Sequence, residues 1–236
     1  MLFLAVTLGF FVENVREHYV ERHRVKQYAF SLVNELKQDT AMINLVMFRI
    51  KRNIRMTDTL SAYLKKRELG QIKNIELYIL SAIDRYPPYT WNRATIDQLK
   101  NSGSLRYFSN AEIVKSISSY DALTHHMDED QKADDEMANR ASQLRSEIVD
   151  MDYSKELTMG LRNNIDSMMM TTGLLEIMRS DSTKLLAKEL TNIRIYLNEK
   201  MNVRKHLMIR SEEELPRLKK QAENLILLLK EEFHFN

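Results

Sequence analysis

The sequence predicts an all-α fold: long antiparallel helices forming an elongated bundle or coiled coil, with an N-terminal partial transmembrane segment. Three observations carry that expectation. Helix breakers are scarce, 5 Gly and 3 Pro in 236 residues, so helices must be long and turns few. Apolar residues recur at intervals of three and four over long stretches, the period of one helix face. Residues 2–12 (LFLAVTLGFFV) carry no charge before the chain turns abruptly polar.

The apolar start comes first. At ~1.5 Å per residue it covers roughly 16 Å, about half of a ~30 Å hydrocarbon core. Leu2, Phe3, Leu4, Leu8, Phe10 and Phe11 would be its membrane-facing residues. It reads as the downstream half of a span or a short anchor sharing its membrane with other chains. A cleavable signal would want a basic leader and a small-x-small site, and Val12-Glu13-Asn14-Val15 offers none. A buried N-terminal helix in a soluble oligomer is the third reading. Residues 1–12 are thus the anchor and 13–236 the helical domain.

That domain opens with a stem helix over about 13–69. Its stripe runs Val25, Ala29, Leu32, Leu36, Ile43, Met47, Ile50 and Ile54, with Asp39 on the missing seam position. Gly70 is its stop. A short helix over 72–83 precedes Tyr86-Pro87-Pro88-Tyr89-Thr90-Trp91, which must be extended because proline disfavours helix in the residue before it. A third helix, 92–101, ends at Ser102-Gly103. Together 72–103 make a corner with short helices.

A long helix over about 110–151 should start at a capping box, Ser109 with Glu112, stapled by Phe108 and Ile113. Its stripe is Ile113, Ile117, Tyr120, Met127, then Met137, Ala141, Leu144, Ile148 and Met151. Asp128–Glu136 between them is polar, so either one helix has an exposed acidic middle or two helices flank a frayed turn. Residues 152–180 are least regular, with Gly160, Asn163-Asn164, Met168-Met169-Met170 and Gly173. Ser180-Asp181-Ser182 should cap the last helix, about 182–232. Its stripe is Leu186, Leu190, Ile193, Leu197, then Leu215, Leu218, Ala222, Leu225 and Leu229. Pro216 inside it predicts a kink, or a restart capped by Ser211.

Composition removes several chemistries. There is no cysteine, hence no disulfide, thiol nucleophile or Cys-based metal site. No two glycines stand close enough for a dinucleotide or phosphate loop, and there is no G-x-S-x-G. His126 and Asp130 share a helix face beside His125, a half-site for a divalent ion in a metal-dependent enzyme. Glu231-x-x-His234 is a single copy of a motif that di-iron bundles need twice. Arg49, Lys51, Arg52 and Arg55 could meet phosphates, but only Phe48 interleaves with them. Net charge is +2, and the acid-rich 121–136 segment would repel nucleic acid. The expectation is no enzyme, no cofactor and no nucleic acid.

TWNRATIDQLKNSGSLRYFSNAEIVKSISSYD contains the pattern N-x-A-T-x-x-x-L-K-x-S-G-x-L-R, here Asn92, Ala94, Thr95, Leu99, Lys100, Ser102, Gly103, Leu105 and Arg106. With FLAVTLGFFVENVREHYVERHR and KQYAFSLVNELKQDTAMI before it, the chain resembles a family of uncharacterised single-span bacterial envelope proteins. The second half fits that family only in helical character. The resemblance implies a basic leader, one membrane helix and a helical domain beyond it. This chain lacks the leader and the upstream half of the span, which implies a truncated start. The resemblance places the chain in the bacterial inner membrane, its bulk on the periplasmic rather than the cytoplasmic side. Arg16, Arg22, Arg24 and Lys26 on the far flank argue the other way by the positive-inside rule.

The function expected from all this is a membrane-anchored helical scaffold or interaction protein, oligomeric, whose partners are membrane lipid and either itself or another membrane protein. The alternative is a sensory or regulatory bundle binding a small ligand or partner at a corner formed by Tyr89, Trp91 and Arg106.

Overall fold

The computed structural model describes residues 2–82, 86–153, 176 and 178–235, with side chains from residue 7 onward. The methionine run at 168–170, Gly160, Asn163-Asn164 and Gly173 lie outside the described residues, as do the side chains of Leu2, Phe3 and Leu4. The fold is all-helical. Helix α1 is Leu2–Leu64, α2 is Asn74–Leu80, α3 is Ala94–Asn101 and α4 is Ala111–Ile148. Helix α5 is Leu190–Ile209 and α6 is Leu215–Phe233, joined by a π turn, Arg210–Glu214. Short 3₁₀ turns occupy Leu69–Gln71 and Ser104–Tyr107. Two compact units divide these helices. The first holds Met1–Asn44, Tyr89–Asp128 and Leu215–Asn236; the second holds Leu45–Pro88 and Glu129–Glu214.

Four helices carry buried seams with heptad spacing. On α1 the seam is Ala29, Leu32, Leu36, Asp39, Ile43, Val46, Ile50, Asn53, Thr57, Leu60 and Leu64, all buried. The steps alternate three and four without a break. This corrects the sequence reading at two places: Val46 and Asn53 hold the seam, while Met47 and Ile54 flank it half-buried. Polar Asn53 and Thr57 had hidden the register there.

On α4 the seam is Ile113, Ile117, Tyr120, Thr124, Met127, then Asp134, Ala138, Ala141, Arg145 and Ile148. The helix is continuous through the acidic stretch, and Asp134 inside it is buried. Helix α4 starts at Ala111 with Asn110 as its cap: the Glu112 amide donates to Asn110 Oδ1 at 3.0 Å. Ser109 donates instead to Glu232 at 3.1 Å, so the predicted Ser109 capping box does not form.

The last helix differs most from expectation. Residues 181–189 are not helical, and α5 begins at Leu190 with Glu189 as its N-cap. Leu186 is exposed. The α5 seam, Ile193, Tyr196, Lys200, Val203 and Leu207, and the α6 seam, Leu215, Leu218, Ala222, Leu225 and Leu229, are each regular but out of step by one residue. The π turn between them takes up the extra residue. It also absorbs the amide missing at Pro216. No capped restart occurs: the Ser211 hydroxyl is buried and donates back to Met208 O.

In the second unit, Leu60, Ile75, Leu77, Ile79, Ala141, Ile148, Val149, Ile193 and Tyr196 are among the core residues. Buried Asn74 ties α2 to the end of α4. Its amide donates to Asp150 O and Tyr153 Oη, each at 2.9 Å, and its Oδ1 accepts the Asp150 amide. Arg145 adds bonds to Ser81 Oγ at 2.8 Å and Tyr78 O at 3.2 Å.

Candidate functional site

The densest polar constellation lies in the first unit, where α1 and α4 grip the chain entering α3. Arg93 and its neighbours leave the α3 N-terminus with open amides and no side-chain cap of its own. Two carboxylates one helical turn apart on α1 supply acceptors. Glu35 accepts the Thr95 amide at 3.2 Å and the Thr95 hydroxyl at 2.7 Å. Asp39, fully buried, accepts the Asn92 amide at 3.0 Å and the Asn92 Nδ2 at 2.8 Å on one oxygen. Its other oxygen accepts the Tyr120 hydroxyl at 2.6 Å.

From α4, Asp128 accepts Trp91 Nε1 at 2.9 Å and the Arg93 guanidinium at 2.7 Å. Arg93 Nε also donates to Thr124 Oγ1 at 3.2 Å. One turn further, Lys100 pairs with Asp121 at 2.7 Å. The Tyr89 ring stacks on Trp91, centroids 4.9 Å apart. Burial first, then the Asp39 charge and hydrogen bond, raise the Tyr120 hydroxyl's pKa far above its ordinary value. It therefore serves as a fixed donor at any working pH.

This accounts for much of the sequence signature. Asn92 and Thr95 meet the α1 carboxylates, Leu99 is buried, and Lys100 meets Asp121. Ser102 bonds Ser104 at 2.7 Å, and Gly103 takes φ 68, a left-handed turn that suits glycine. Glu35, Asp39, Asn92, Thr95 and Tyr120 bond one another, so the chemistry of the clamp is positional. The sequence pattern singled out Asn92, Thr95 and Lys100 and put Tyr120 on the α4 stripe, but did not pair them with Glu35, Thr124 and Asp128. The readable signal was a polar residue on an apolar seam, seen at Asp39 and present again at Thr124.

Arg106 does not join Tyr89 and Trp91. It is exposed, lies over the Tyr107 ring at 4.7 Å, and feels the charges of Glu21 and Glu17 on α1. Glu21 and Asp39 are roughly 27 Å of helix apart. The stripe residues Val25, Leu32, Leu36, Ile43 and Ile50 are all buried. His125 is exposed, 3.6 Å from Asp121, and His126 is exposed. Asp130 pairs with Arg210 at 3.1 Å. Helix α6 ends at Phe233, and His234 turns to φ 53, so Glu231 and His234 do not share a helix face.

In the second unit, Arg210 is the matching device. Its Nε meets Asp134 at 3.1 Å, and it also meets Glu214. The Tyr86 hydroxyl donates to the same Asp134 oxygen at 2.8 Å. Burial by itself would lower the Arg210 pKa, but the Glu214 and Asp134 carboxylates outweigh it and the net direction is up.

At its N-terminal end α1 is bare. Leu8, Phe10, Phe11, Val12 and Val15 are each 55–75% exposed, and Tyr19 and Val20 are exposed too. Among the described residues no helix is long and apolar enough to cross a membrane.

Fold and site together define an all-helical protein braced by buried polar clamps. Compared with models of known families, with curated proteins and with solved structures, the chain has no match.

Proposed function

We propose that the protein is a membrane-anchored helical scaffold that self-associates or holds another membrane protein. The observation that carries this reading is the start of α1. Leu8, Phe11, Val12 and Val15 lie on one side of the helix, Phe10 and Val20 on others, and all are uncovered. A helix apolar all round is a helix made for an apolar surrounding. Its ~16 Å of uncharged length inserts to about half the depth of a bilayer core. In this reading, which follows what the resemblance implies, the anchor sits in the bacterial inner membrane with the helical units on the periplasmic side.

The clamps support a scaffold rather than a receptor for a small ligand, because Trp91 and Tyr89 are engaged with Asp128 and with each other. Flotation of the full chain with phosphatidylcholine vesicles tests the reading. Wild type should float, and Phe11→Asp with Leu8→Asp should not. A wild-type chain left at the bottom of the gradient overturns it. Light scattering in detergent then reads the mass of the assembly.

A further inference from the structure

The α1 seam carries a polar residue at the same heptad position twice, at Asp39 and again two heptads on at Asn53. Asp39, in the first unit, has both oxygens bonded. Asn53, in the second, is 1% exposed, and neither its Oδ1 nor its Nδ2 has a hydrogen-bond partner among the described residues. At the next seam position Thr57 is equally buried, and its hydroxyl likewise has no partner among the described residues. Residues four apart lie over one another on a helix face, so the two make one polar patch. A buried polar atom that gives up water and gains no partner weakens the fold at that point.

Contacts within the second unit fix what lies level with this patch. Leu60 and Leu64 of α1 share a core with Ile193 and Tyr196 of α5, and Asp58 meets Arg204 through both its oxygens, at 2.6 and 3.0 Å. Higher numbers on α5 thus match lower numbers on α1, and the two helices run antiparallel. From Arg204 on to Arg210 and from Asp58 back to Asn53 the rise is roughly 9 and 8 Å. Asn53 is therefore level, within about a turn, with the start of the π turn Arg210–Glu214. On α4, Asp134 meets Arg210 Nε at 3.1 Å. Asp134 is also buried, and its Oδ1 has no hydrogen-bond partner among the described residues. Unpaired polar atoms of α1 and α4 and the π turn thus share one level of the second unit.

We infer that this layer is a built-in opening point of the second unit, at which α5 parts from α1 and α4 while the core around Tyr196 stays closed. Parting lets water reach Asn53, Thr57 and Asp134 Oδ1. The open form then makes bonds that the closed form lacks, and that difference is what populates it. The π turn suits the role, because its extra residue interrupts the regular ladder and marks where a helix bends. Arg210 holds the layer shut through its ion pairs with Asp130, Asp134 and Glu214. Toward the start of α5, Ile193 and Tyr196 pack in a core with apolar residues of α1, α2 and α4, so that end is the fixed one. Opening of the layer owes nothing to a membrane, and it stands or falls apart from the anchor.

Hydrogen exchange of the full chain, read amide by amide under native conditions, tests this. In wild type the amides of Leu207, Met208 and Ile209 should exchange about tenfold or more faster, relative to their intrinsic rates, than those of Tyr196 and Leu197. Neither set lies at an end of the helical run from Leu190 to Phe233, so fraying does not account for a difference. Asn53→Leu with Thr57→Val removes the unpaired atoms at nearly constant volume and should slow the Leu207–Ile209 amides about tenfold or more. Thr57→Val alone is isosteric, should slow them by a smaller factor, and decides the matter if the double variant fails to fold. Equal protection along α5 in wild type overturns the opening point. A folded variant whose Leu207–Ile209 amides exchange as in wild type, or faster, overturns it too, because the atoms removed then have no part in the opening.

Discussion

The Asp39 carboxylate and the Tyr120 hydroxyl lie 2.6 Å apart, both wholly buried and 81 residues apart in sequence. The same carboxylate holds Asn92 twice. One acid on the α1 seam therefore fixes both α4 and the entry to α3.

Asp39→Ala leaves the Tyr120 hydroxyl and the Asn92 amide groups without an acceptor, at a cost of about 3 kcal/mol. Tyr120→Phe removes one donor and should cost about 1–2 kcal/mol. Urea midpoints of the two single variants and the double variant would show strong non-additivity. Additive effects would mean the pair is not coupled.

Gly103 has φ 68 with nothing within 4 Å of a Cβ placed there. Gly103→Ala should therefore cost about 1–2 kcal/mol through backbone conformation alone. Gly103→Asn should recover part of it, since asparagine tolerates the left-handed region. An alanine variant as stable as wild type would contradict that account.

Arg210 is the counter-charge for buried Asp134. Arg210→Met strands that carboxylate and should destabilise by about 3–5 kcal/mol. The paired change Arg210→Met with Asp134→Leu should restore much of the loss. A single variant that melts at the wild-type temperature would remove the network from any structural role.

Alkaline pH should loosen the second unit. Burial first, then a hydrogen bond to Glu76, push the Tyr63 hydroxyl up to about 12 from 10.0. The folded state therefore keeps this proton after the unfolded chain would lose it. The stability so gained is complete below about pH 10 and is lost as pH rises through about 12. Tyr63→Phe should flatten that fall. Denaturation midpoints that stay level across this range in wild type would refute it.

The corrected register makes a direct comparison possible. Ile50 is fully buried and Ile54 only half-buried. Ile50→Ala should cost about 2–5 kcal/mol and Ile54→Ala less than half as much. Equal losses would place the seam where the apolar stripe of the sequence put it.

The all-α class and the long helices were legible in the sequence because they depend on local properties. Scarce glycine and proline, and apolar spacing of three and four, act within a turn or two of helix. The α1 seam from Ala29 to Ile43 and the α6 seam from Leu215 to Leu229 were readable for that reason. What only the tertiary structure decided was where polar residues replace apolar ones on those seams. Asp39, Asn53, Thr124 and Asp134 are buried. For Asp39 and Asp134 the partners lie in other helices, and no local pattern names them. Asn110 in place of Ser109 as cap, and a π turn in place of a capped restart at Pro216, were settled the same way. In each case competing local solutions lie within about 1–2 kcal/mol of each other. Packing between helices then chooses among them, because burying a polar group without its partner costs as much or more.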